Sequence, residues 1–185
     1  MFHRAMEALR GRAWSVEIHW LSPNIAIGRV GRGDAWRALH ARGIRAIVYL
    51  GDENGDVGAA AREHGMRYLR FGLQGAPRPR AGDLQIIAAW VQERIAADGP
   101  VFIQDSRAQF NDALVAVSAL VRGGLPAHLA LLALRRTARG RSLDSEQHAE
   151  LVRFAIAQEM DRPPPSPSDL ARPKGQPAVP SDPGR

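Results

Sequence analysis

The sequence predicts an α/β fold, a single domain built on a central, mostly parallel sheet of four or five strands flanked by helices. Three observations lead there. Strand-like and helix-like segments alternate along the 185 residues with no internal repeat. The run Val101-Phe102-Ile103 is wholly apolar and follows a Gly-Pro turn, as a strand buried on both faces reads. Hydrophobic residues make up 45% of the chain and charged ones 24%, a balance that supports one globular core.

The elements follow in order. Val16 to Leu21 and Asn24 to Ile27 are short strands around a Ser22-Pro23 turn. Asp34 is placed to cap a helix that presents Trp36 and Leu39 and stops at Gly43. Ile44 to Leu50 is an apolar, β-branched strand; Val57 to His64 is a short helix closed by Gly65, and Met66 to Phe71 is another strand. Gly72 to Arg80 is a Gly/Pro-rich loop. Leu84, Ile87, Ala88, Val91 and Ile95 then recur at helical spacing until Asp98-Gly99-Pro100 ends the helix. After Val101 to Ile103, a helix starts near Phe110 or Asn111 and runs to Arg122, where Gly123-Gly124 breaks it. Two further helices cover Pro126 to Thr137 and Ser145 to Gln158. Residues 1–14 form an N-terminal extension and 15–160 the domain. Residues 161–185 hold eight of the 13 prolines and almost nothing apolar, the composition of a disordered tail.

Composition excludes several chemistries. The chain has no cysteine, so no disulfide, thiolate metal site or cysteine nucleophile can form. The formal charge is +6, and Lys174 is the sole lysine beside 24 arginines. Arginine suits phosphate and carboxylate forks, but no compact basic run is interleaved with aromatics, so nucleic acid is disfavoured as a partner. The Arg-for-Lys, Ala- and Gly-rich usage reads as the bias of a GC-rich, bacterial-like genome. No window approaches the ~18 apolar residues of a membrane span. The opening MFHRAMEALRGRAW places Arg and Glu where a signal peptide needs an apolar core, so a cytoplasmic location without membrane contact is expected.

In an open α/β sheet ligands bind beyond the carboxyl ends of the strands, where a loop enters a helix N-terminus. Here that place is Gln104 to Asn111, and the free N–H groups of such a turn favour an anion. At this point the order of segments resembles the dual-specificity branch of the protein tyrosine phosphatases, over roughly Trp20 to Phe154. Trp20-Leu21-Ser22-Pro23-Asn24-Ile25-Ala26-Ile27-Gly28-Arg29 resembles the family's opening hairpin. Leu39 with Gly43-Ile44-Arg45-Ala46-Ile47-Val48-Tyr49-Leu50 resembles its first helix and strand, and Gly65-Met66-Arg67-Tyr68 leads to the loop around Gln74. Gly99-Pro100-Val101-Phe102-Ile103 resembles the strand feeding the phosphate loop, and Arg141-Ser142, Ser145 and Gln147 resemble the closing loop and last helix.

The resemblance implies a cysteine thiolate nucleophile, an arginine that grips phosphate in a bidentate fork, and an aspartic acid that protonates the leaving group. The usual signature is His-Cys, five residues, Arg. It falls on Gln104, Asp105, Ser106, Arg107, Ala108, Gln109, Phe110 and Asn111. Asp105 stands at the cysteine position, Asn111 at the arginine, Ala108 at a glycine, and Gln74 at the general acid. No shift of register restores the nucleophile, since the chain holds no cysteine. A carboxylate beside an incoming phosphate costs on the order of 4 kcal/mol at ~4 Å and an effective dielectric of ~20. Asp105 and Asp112 are read as a cap and a first-turn carboxylate rather than a metal pair, and Arg107 as a solvated side chain.

Other tempting residues carry less. His3, His19, His40, His64, His128 and His148 lack metal-ligand spacing. Gly28-Arg29-Val30-Gly31-Arg32-Gly33 lacks the pattern of a nucleotide loop and reads as a turn. Leu129, Ala130, Leu131, Leu132 and Leu134 read as core. The expectation is therefore a catalytically inactive, dual-specificity phosphatase-like binding or regulatory module without a cofactor, whose partner is a protein, phosphorylated or acidic. Two alternatives stand beside it: a hydrolase using Asp105 as nucleophile with Arg107 as clamp, and an Arg-rich binder of acidic partners or nucleic acid.

Overall fold

The computed structural model describes residues 17–30, 35–51, 57–106, 109–138 and 140–161. Five strands form one sheet: β1 (Glu17–Ser22), β2 (Ile25–Arg29), β3 (Ala46–Leu50), β4 (Arg67–Phe71) and β5 (Val101–Asp105), in the order β1-β2-β5-β3-β4. β1 and β2 pair antiparallel as a hairpin, whereas β2, β5, β3 and β4 run parallel. Among the described residues six helices accompany them: α1 (Ala35–Ala41), α2 (Val57–Glu63), α3 (Ala81–Ala97), α4 (Asn111–Arg122), α5 (Ala127–Thr137) and α6 (Ser145–Met160).

Alternation along the strands divides the core in two. Ile25, Ile27, Ala46, Val48, Leu50, Val101 and Ile103 face the layer built from α3, α4, α5 and α6. Ala26, Ile47 and Phe102 face Trp36, Leu39, Ile44 and Ala61 around α1 and α2. β5 lies at the centre with Val101, Phe102 and Ile103 fully buried, as its apolar run requires. Helix α4 is buried over its first ten residues because α3, α5, α6 and the sheet surround it. Its one hydroxyl there, Ser118, donates to the Leu114 carbonyl at 2.9 Å, which removes the cost of burying it.

Several sequence expectations change. Gly28 and Arg29 belong to β2 and not to a turn, while Gly31, Arg32, Gly33 and Asp34 lie outside the described residues. Leu129 and Leu132 are about two-fifths exposed, because the stripe that α5 buries runs through Ala130 and Leu134. The last helix reaches Met160, two residues further than expected. The extension at 1–14 and the segment 162–185 lie outside the described residues.

Gly28 decides how the hairpin sits. Its φ is +154°, and a Cβ there would lie 1.9 Å from the Glu17 carbonyl oxygen across the β1–β2 register. Only glycine allows that approach. Gly28→Ala is expected to destabilise the fold by about 2–4 kcal/mol, measured as a lower urea midpoint with an unchanged slope.

Candidate functional site: an occupied anion cradle

The site forms where β5 ends and α4 begins. The parallel register sets Leu50 beside Asp105, and Ser106 then fastens the turn to β3, with its N–H and Oγ both donating to the Leu50 carbonyl at 3.0 and 3.1 Å. Gly51 is required next to it, since a Cβ there would lie 2.2 Å from Ser106 Oγ. Arg107 and Ala108 lie outside the described residues.

Asp105 is 4% exposed, and its side chain points into the turn. Oδ2 accepts the backbone N–H of Gln109 at 3.0 Å and of Asn111 at 3.1 Å. Those donors at a helix N-terminus would otherwise be orphaned, because the residue at the cap position, Phe110, offers no side-chain acceptor. The carboxylate therefore acts as the cap from six residues upstream of Asn111.

Asn111 is fully buried. Nδ2 donates to the Pro77 carbonyl at 3.0 Å, and Oδ1 accepts from Gln147 Nε2 at 3.3 Å. Gln147 also donates to the Gln109 carbonyl at 3.1 Å, and its Oε1 closes a capping box with the Asp144 N–H. Asn111 thus pins the 72–80 loop and α6 to the turn and offers no group to a ligand. Gln74 sits on that loop as an exposed residue with φ +47°. It does not line the cavity beside the turn.

That cavity, about 330 Å³, is lined by Glu17, Arg29, Asp105, Phe110, Asp112, Gly140 and Arg141. Asp112, in the first turn of α4, is buried, accepts the Ala113 N–H at 2.9 Å and forms an ion pair with Arg141. The cap and first-turn roles expected of the two aspartates are the ones they fill. The Arg141 guanidinium lies 5.4 Å from the centre of the Phe110 ring. Phe110 has φ +57°, a left-handed conformation that costs a residue with a bulky side chain roughly 1–2 kcal/mol. Burial pushes the Asp112 carboxyl up from 3.8 to about 6; Arg141 pulls the other way, and the Asp105 charge adds to the rise.

Sequence reasoning did not find Arg141 or Gln147 as members of the site. Asp144-Ser145-Glu146-Gln147 carries a capping-box signal that marks the start of α6, but not the reach of Gln147 to Gln109. No local signal pairs Arg141 with an aspartate 29 residues earlier.

Two outcomes follow. Asn111→Leu leaves the Pro77 carbonyl without its donor and takes one of two acceptors from the Gln147 amide, and a loss of about 2–4 kcal/mol in chemical denaturation is expected. The second concerns pH. A carboxyl raised in the folded state contributes stability that is complete below its unfolded value near 3.8 and is lost as pH rises through about 6. Relative to Asp112→Asn, the wild type should therefore lose about 3 kcal/mol between acid and neutral pH, read from denaturation curves of both proteins across that range.

No protein-family model matches this sequence, and no curated protein matches it. Solved structures do match in shape. PTPMT1 superposes with a TM-score of 0.69 at 14% identity, covering 78% of this chain and 97% of its own. Tk-PTP in its active form gives 0.64 at 22%, with 75% and 96% covered. Human DUSP28 gives 0.61 at 17%, with 79% and 100% covered. The superpositions span nearly the whole of each neighbour: the chain has a dual-specificity/protein tyrosine phosphatase-like fold.

Proposed function

We propose that this protein is a catalytically inactive, phosphatase-fold module that acts by binding or regulation. One observation carries the reading: the Asp105 carboxylate accepts the backbone N–H groups of Gln109 and Asn111. A carboxylate oxygen stands one bond further from Cβ than a thiol sulfur. Asp105 therefore reaches past the place of a nucleophile and into the place of the phosphate, where it acts as a tethered anion. An oxygen holding two N–H donors is also a poor nucleophile, because its charge is already stabilised in the ground state. The side chain of Asn111 is committed to Pro77 and Gln147 and carries no charge to clamp a phosphoryl group. Gln74 holds no proton to donate at neutral pH. The partner fitting such a module is a protein, and cytoplasmic placement agrees with the absence of any membrane-crossing helix among the described residues.

The test has two arms. The unmodified protein is expected to show no turnover of aryl phosphates or phosphopeptides, with or without added divalent metal. Asp105→Ala empties the cradle, and at neutral pH tungstate should bind this variant at least about tenfold more tightly than the wild type. Turnover by the wild type that Asp105→Asn abolishes would overturn the proposal in favour of an aspartyl nucleophile; so would tungstate binding to the wild type as tight as to Asp105→Ala. The combined change Asp105→Cys, Asn111→Arg and Gln74→Asp should bring slow, metal-independent hydrolysis, whereas any one of them alone should achieve little.

A further inference from the structure

Two arginines line the cavity beside the cradle. Arg29 arrives from the end of β2 and Arg141 from the connection between α5 and α6, and both line the same space of about 330 Å³. The charged groups facing them decide whether they are available. Glu17, opposite Arg29 in the hairpin register, is half-exposed; its hydrogen bond with His19 at 2.7 Å and the charges of Arg141 and Arg29 hold its carboxyl below the usual range. Asp105 is held by the N–H groups of the turn. Asp112 alone among these holds Arg141 in an ion pair, and it does so away from water.

We propose that Arg29 and Arg141 form a binding site for a free tetrahedral oxyanion, and that the Asp112 carboxylate competes with this ligand for Arg141, so the site opens when Asp112 gives up its charge. With Asp112 ionised, the described residues lining the cavity carry three negative charges against two positive; with Asp112 neutral they balance. The guanidinium of Arg141 lies over the Phe110 ring, 5.4 Å from its centre, a contact that does not depend on Asp112. The Asp112 carboxyl, raised by burial to about 6, changes charge at a pH where both arginines remain cations. The site uses side chains apart from the cradle, so it stands whether or not the turn is catalytic.

Sulfate is the probe, because its charge is constant over the range in which phosphate changes its own. Calorimetric titration of the full chain at constant ionic strength should show sulfate binding about tenfold or more tighter near pH 5 than near pH 8. Asp112→Asn should bind near pH 8 as tightly as the wild type near pH 5, with the pH dependence gone. Arg29→Gln removes an exposed side chain without touching the core, and it should weaken binding to the wild-type background near pH 5. Equal binding by the wild type at both pH values would overturn the proposal. So would a pH dependence that persists in Asp112→Asn, which would move the switch to Asp105 or Glu17, or binding unchanged by Arg29→Gln.

Discussion

One carboxylate organises the centre of this protein. Asp105 leaves β5 on the face of the sheet that α4 covers, and its two hydrogen bonds from the far end of the turn fix where α4 begins. A buried charge is costly when it stands alone. Here the N–H donors and the positive end of the helix dipole replace the lost water. Because α4 is the helix around which α3, α5 and α6 pack, the position of its first residue is passed to the whole of that layer.

The same anchoring explains why strain and unlike charges persist next to it. Phe110 sits in a left-handed conformation between two residues whose N–H groups both bind Asp105, so its backbone is determined from either side. Its ring is then carried out to meet Arg141, and Arg141 reaches Asp112, two residues beyond Phe110. Carboxylates at 105 and 112 compete for one helix N-terminus. Asp105 takes two N–H donors of the turn, while burial raises the carboxyl of Asp112 against the opposing pull of Arg141.

Much of this was legible in the residues because the signals are local or periodic. The apolar run at 101–103 could be satisfied only by burial on both faces, and the Leu84, Ile87, Ala88 and Val91 spacing defined one helix face that indeed lies buried. The turn was legible too, since a short strand running into a helix leaves donors that need an anion. What could not be read was distance-independent of sequence spacing. Gly28 looked like part of a glycine-rich turn, and only the cross-strand approach of the Glu17 carbonyl explains a glycine inside β2. Leu129 and Leu132 matched a core pattern, yet which stripe of α5 is covered depends on where α4 lies. Arg141 and Gln147 enter the site from a loop and a helix far along the chain, where no local rule connects them to Asp112 or Gln109.

The shape of this strand-to-helix turn has a physical reason in the helix it begins. A parallel strand that feeds a buried helix must satisfy the N–H groups at the junction whether or not a ligand is present. A diffusing oxyanion does so only while bound, and each association costs translational freedom. A carboxylate tethered at 105 does it permanently, because its position is already fixed by β5. On the proposed reading, an aspartate at 105 favours scaffold integrity over ligand affinity, the direction in which stability and activity commonly oppose each other. With the N–H groups of the turn satisfied from within, Asn111 binds the Pro77 carbonyl and Gln147 and so joins the framework that holds the turn.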